Sequence, residues 1–321
     1  MKLQKFEETY IFKDRSFMAK EFYIKNRKKL FGMQKVLSVA EALVIPSEKS
    51  EKTYNQYTYS GNEIKEFLRQ SMENMYLTVG VEGESLRGFQ VHYNKDEERY
   101  EIAISFPSSK KDWELAFEYM KGLSLYLKRD IECEDGQLFK PENIDKYDNN
   151  FDIAAGIGGI LKIGRVFISG IHRDMTFGRD MIDRIKNSKN RQDEFEKIAY
   201  EIQNLEAHEP TPAIYEKDNE LIVKYMFIEK TPIILHFNPS LGYRINYSNG
   251  IKDENIADWF IDFLVQDEKE GAKIMENINY SEFIGKLPKE KYRFIDETSI
   301  FIEPLEKEEI KGLKGEFKSF V

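Results

Sequence analysis

Four histidines and one cysteine supply all the imidazole and thiol in this 321-residue chain. Two of the histidines sit in settings that invite chemistry. His92 lies in Phe89-Gln90-Val91-His92-Tyr93-Asn94, and His236 in Ile234-Leu235-His236-Phe237-Asn238. In both, the apolar neighbours belong to the opposite strand face, so each imidazole points away from the face those neighbours build. An imidazole titrates near neutrality and can act as general acid, general base or anion ligand. His92 and His236 are therefore the candidate catalytic residues, set against the plainer reading of half-exposed strand histidines with no task.

Other motifs fail on spacing. His208-Glu209 has Pro212 where a zinc-protease helix needs its second histidine, and one cysteine without paired histidines gives no zinc set. Gly156-Ile157-Gly158-Gly159, running on to Gly164, lacks the Gly-Lys-Ser/Thr of a phosphate loop, since Arg165 and Val166 follow. It also has Leu161 where a dinucleotide fingerprint needs glycine. The segment reads as a glycine-rich turn or a close-packed hairpin. His172-Arg173-Asp174 has the letters of a kinase catalytic loop, but Arg179 stands where that loop needs Asn. No cofactor and no metal is expected.

The charge distribution adds one further candidate. Net charge is −9, which argues against general nucleic-acid binding, where phosphate neutralisation supplies the affinity. Residues 1–35 are the exception, with ten Lys/Arg against four Asp/Glu. Lys25, Arg27, Lys28 and Lys29 form the densest run, a possible contact for RNA or another anionic partner or, more simply, a solvated turn.

These residues need a scaffold, and the chain provides α+β patterning. With 41% hydrophobic and 33% charged residues, a mean hydropathy of −0.58 and no run near the ~20 apolar residues of a membrane span, no membrane partner is expected. A single cysteine fits a reducing cytoplasm. Residues 1–17 read as a flexible extension, and Met18 as an alternative start. Ser38-Val39-Ala40-Glu41 and Ser60-Gly61-Asn62-Glu63 have capping-box spacing; Pro46 is expected to stop the first helix, and 47–59 to be loop. Tyr76–Val81, Phe89–Tyr93 and the alternating Tyr100, Ile102, Ile104 and Phe106 read as three meandering strands. Trp113, Ala116, Phe117, Met120, Leu123 and Leu127 mark a helix to cover them.

A similar order recurs later. Leu221 to Phe227 and Ile233 to Phe237 read as strands, as does Tyr243 to Tyr247. Asp258-Trp259 then answers Asp112-Trp113, with Ile256, Phe260, Phe263 and Leu264 read as a helix. His92 follows Tyr76, and His236 follows Glu220, by the same sixteen positions. The expected architecture is thus two related lobes, each an antiparallel meander sheet with a packed amphipathic helix, from an internal duplication of 76–144 and 220–310. The domain reading is 18–144 for the N-terminal lobe, 145–212 for a glycine-containing and helical connector, and 213–321 for the C-terminal lobe.

Phe22-Tyr23-Ile24-Lys25-Asn26, Lys29-Leu30-Phe31-Gly32 and Val36-Leu37-Ser38-Val39-Ala40-Glu41-Ala42-Leu43 resemble the opening of an uncharacterised bacterial family, the domain of unknown function forty-two ninety-nine. The resemblance implies a bacterial cytoplasmic origin and supplies no activity and no site residues. The functional expectation is a non-catalytic module that binds another protein. The alternative is an enzyme of unrecognised type, a hydrolase for example, working in a cleft between the lobes. Oligomeric state is left open.

Overall fold

The computed structural model describes residues 19–28, 30, 32–59, 63–242, 250–267 and 271–314. The extension and Met18 lie outside them. So do Lys29, the second capping box at Ser60–Asn62 and the expected strand at Tyr243–Tyr247. Two compact units divide the chain: residues 1–164, 169–173 and 182–203 form the first, and 165–168, 174–181 and 204–321 the second. Both mix helix and strand, as α+β patterning predicts.

The first unit is built on a seven-stranded sheet in the order β2-β3-β4-β5-β1-β6-β7. The strands are β1 (Ala19–Lys25), β2 (Tyr54–Gln56), β3 (Tyr76–Val81), β4 (Phe89–Asn94), β5 (Arg99–Ser105), β6 (Ile131–Cys133) and β7 (Leu138–Phe139). Every neighbouring pair is antiparallel. The β3-β4-β5 meander is as expected. The location of β1 is not legible locally: it sits between β5 and β6, with Phe22 opposite both Ile102 and Cys133.

Alternation decides the faces. Phe22, Ile24, Leu77, Val79, Phe89, Val91, Tyr100, Ile102 and Ile104 are buried on one side, because strand side chains alternate with period two. Helix α3 (Lys110–Leu127) covers them with Trp113, Ala116, Tyr119, Met120, Leu123 and Leu127, all buried. Its N-cap is Ser109 in a capping box with Asp112.

Helix α1 (Val39–Ser50) starts at the expected capping box of Ser38 and Glu41 but runs through Pro46. This corrects the expected stop, and the expected loop at 47–59 instead holds the end of α1 and then β2. Two hydroxyls support the helix around the proline, Ser47 Oγ donating to Leu43 O at 2.7 Å and Ser50 Oγ to Pro46 O at 2.9 Å. Pro46 is buried against α3, where a Cβ on Gly122 would lie 2.8 Å from Pro46 Cα and 3.0 Å from its carbonyl oxygen. Gly122→Val should therefore force the helices apart and cost about 3 kcal/mol. An unfolding free energy from urea titration within about 0.5 kcal/mol of wild type would contradict this crossing.

The glycine-rich run is helical, which corrects the turn or hairpin reading. Helix α4 (Asn150–Ile163) contains Gly156, Gly158 and Gly159 and is closed by Gly164 at φ +81°. A left-handed residue after the last turn is a common helix stop. Gly156 is needed for packing, since its Cβ would lie 2.9 Å from Pro107 Cα. After the paired strands β8 (Val166–Ser169) and β9 (Asp174–Phe177) come α5 (Arg179–Asn187) and α6 (Arg191–Gln203). The latter is expected from its stripe of Phe195, Ile198, Ala199 and Ile202, all buried.

The second unit departs furthest from expectation. Its strands are β10 (Ala213–Lys217), β11 (Glu220–Ile228), β12 (Ile233–His236), β13 (Ile256–Asp267), β14 (Gly271–Asn279), β15 (Tyr292–Phe294) and β16 (Ser299–Ile302). They form one sheet ordered β10-β11-β13-β14 and another ordered β12-β16-β15. The segment carrying Trp259 is β13, a strand parallel to β11, and not the expected helix. Ile261, Phe263 and Val265 are buried at alternate positions, a period-two face rich in aromatic and β-branched residues. β11 and β12 lie in different sheets, so the second unit does not reproduce the first unit's meander-and-helix arrangement. The internal duplication is not shown. Two short helices, α7 (Tyr280–Lys286) and α8 (Lys307–Lys314), complete the unit, and α7 buries Phe283 in its core. Among the described residues no helix is long and apolar enough to cross a membrane.

Candidate functional site

Each candidate histidine is engaged by its neighbour across a sheet. His92 is paired with Tyr76 in the β3–β4 register, and the rings stack at 4.2 Å between centroids and 10° between planes. Its Nδ1 lies 3.1 Å from Met75 O. His236 is paired with Ser299 in the β12–β16 register, and its Nδ1 lies 3.4 Å from Ser299 Oγ. Such direct cross-strand pairs are the ordinary currency of sheet stability. Ser299 is buried, and its backbone N–H is held by Asp296 Oδ1 at 2.6 Å. His92 and His236 thus belong to different units and face a tyrosine and a serine, respectively.

The described part of the basic run is anchored by Asn26, which is buried and donates from Nδ2 to Gln34 O at 2.8 Å and to Tyr93 OH at 3.3 Å. Lys25 ends β1, Arg27 donates its backbone N–H to Asn26 Oδ1, and Lys28 bridges to Met33. Lys29 lies outside the described residues.

The His172-Arg173 pair does structural work within the first unit. The Gln203 amide brackets it, Oε1 accepting from His172 N at 3.0 Å and Nε2 donating to Arg173 O at 2.7 Å. Arg173 is buried and donates from Nη1 to Ile202 O. His172 nevertheless meets a carboxylate, its Nε2 lying 3.5 Å from Glu82 Oε1. Tyr57 OH donates to Glu82 Oε2 at 2.8 Å. Burial, reinforced by that hydrogen bond, pushes the Tyr57 phenol above its ordinary range. Sequence spacing gave no hint of this group, because Glu82 is ninety positions from His172. The Glu82 side chain is 67% exposed, so water screens this contact.

A groove of about 630 Å³ lies nearby in sequence, lined by Gly83, Leu86, Ser109, Lys111 and Tyr200 among others. Part of its charge is matched. Lys52 and Lys111 reach Glu84 at 2.8 and 3.1 Å, and Lys110 reaches Asp193 at 2.7 Å. These contacts hold Glu84 below the usual carboxylate range, with the Lys52 hydrogen bond as the largest cause. Beneath the groove, Asp112 is fully buried and ties the α3 N-terminus to the 86–88 turn. Ion pairs thus hold Glu84, Lys111 and Asp193 of its wall, which suits surface organisation more than acid–base chemistry. Among the described residues no cluster of three or more His, Cys, Asp or Glu is disposed to hold a metal ion.

The most unusual surface is the outer face of α4. Within this helix only Asp152 and Lys162 carry charge, and Asp152 is buried, accepting from Tyr147 OH at 2.7 Å. Gly156, Ile157 and Ile160 face inward. Outward stand Phe151 at 81% exposure and the exposed Ala154, Ala155 and Gly158, with the exposed Lys162 following on the same line. A Cβ at Gly158 or Gly159 would meet nothing within 4 Å. A helix apolar on all sides is normally covered on all sides; this one is covered on one. In sequence the signal is the near-absence of charge from Phe151 to Ile163, which a glycine-rich turn also accommodates.

No curated protein and no solved structure matches the chain. A family model described as "Domain of unknown function (DUF4299)" matches residues 19–313, from the first strand of the seven-stranded sheet to the last helix of the second unit. The chain belongs to that family.

Proposed function

We propose that the chain is a protein-binding module that docks an apolar helix on the open face of α4. The carrying observation is Phe151 at 81% exposure beside the exposed Ala154, Ala155 and Gly158, on a helix whose other side buries Gly156, Ile157 and Ile160. Small residues in the middle of the face let a second backbone approach closely, while the larger end residue adds buried apolar area. Contiguous apolar surface of this kind marks interaction sites more often than idle surface. The proposed setting is a bacterial cytoplasm, where the buried thiol of Cys133 stays reduced.

Ala155→Glu tests the reading without disturbing the fold, because Ala155 is exposed and Glu is a good helix former. Proteins retained by the wild-type chain, and by a Lys121→Ala control on α3, should be lost at least ~10-fold with Ala155→Glu. That corresponds to about 1.4 kcal/mol. Equal retention by all three would remove α4 as the docking face.

A further inference from the structure

We draw no further inference here: the strongest candidate, the groove of about 630 Å³ between the β3–β4 turn, the start of α3 and α6, has carboxylates and lysines of both signs on its wall, part of them paired with one another, and nothing in the structure shows what covers it.

Discussion

Asp112→Ala should destabilise the first unit by about 4 kcal/mol, a loss reached only when a buried polar network is broken. The carboxylate is fully buried and serves two loops at once. Oδ1 accepts from Leu86 N at 3.1 Å and from Gly88 N at 2.9 Å, and Oδ2 accepts from Arg87 N at 3.2 Å. Oδ2 also accepts from Ser109 Oγ at 2.7 Å and Ser108 Oγ at 3.3 Å. Truncation leaves these donors without water and without an acceptor. Asp112→Asn keeps one oxygen but turns an NH₂ toward the same donors, so about 2 kcal/mol of loss is expected. Glu114→Ala, two positions along at an exposed site, should stay within about 0.5 kcal/mol. In a Trp259→Phe background, fluorescence of the buried Trp113 reports this unit during urea unfolding. Asp112→Ala and Glu114→Ala curves that coincide would show that the carboxylate does not organise the corner.

Gly88→Ala strikes the same corner through the backbone, with an expected loss of about 3–5 kcal/mol. Gly88 has φ +65°, and a Cβ there would lie 2.2 Å from Val79 O on the adjacent strand. No rotamer relieves that clash, because both partners are backbone. Gly83→Ala separates strain from collision: its φ is +71°, yet its Cβ would meet nothing within 4 Å. Only the conformational cost of about 1–2 kcal/mol applies there. Equal losses at the two positions would mean that the β3–β4 turn gives way more easily than its packing implies.

These two residues illustrate what the sequence could and could not convey. Asp112 could be placed at the head of an amphipathic helix, and the stripe from Trp113 to Leu127 and the alternation from Tyr100 to Phe106 were both readable, because each depends on local periodicity. The backbone donors of the 86–88 turn that Asp112 serves lie about 25 positions earlier, where no local rule reaches. Ile256 to Leu264 fits helical spacing through Ile256, Phe260 and Phe263. It also fits strand spacing through Ile261, Phe263 and Val265, and its pairing with β11 selects the second. The glycines of α4 argued for a turn, and only their packing against Pro107 shows why a helix keeps them. For the candidate site, the histidines were visible as residues while their neighbours across the sheet were not. His172 belongs to a failed motif, yet it faces a carboxylate.

The position of β1 also has a consequence in time. Its Phe22 pairs with Ile102, eighty residues later, and with Cys133, a further thirty-one on. During synthesis β1 leaves the ribosome well before either neighbour exists, with Phe22 and Ile24 uncovered. The β2–β5 and β6–β7 portions of the sheet are joined only through it. Closure of the sheet must then wait for the chain beyond residue 133, and it carries the loop-closure entropy that makes distant pairings slow to form. An interior strand of the sheet is thus the one translated before all its partners, so this unit completes its fold late, and a nascent chain stalled between β5 and β6 holds a sheet with one side of β1 unpaired.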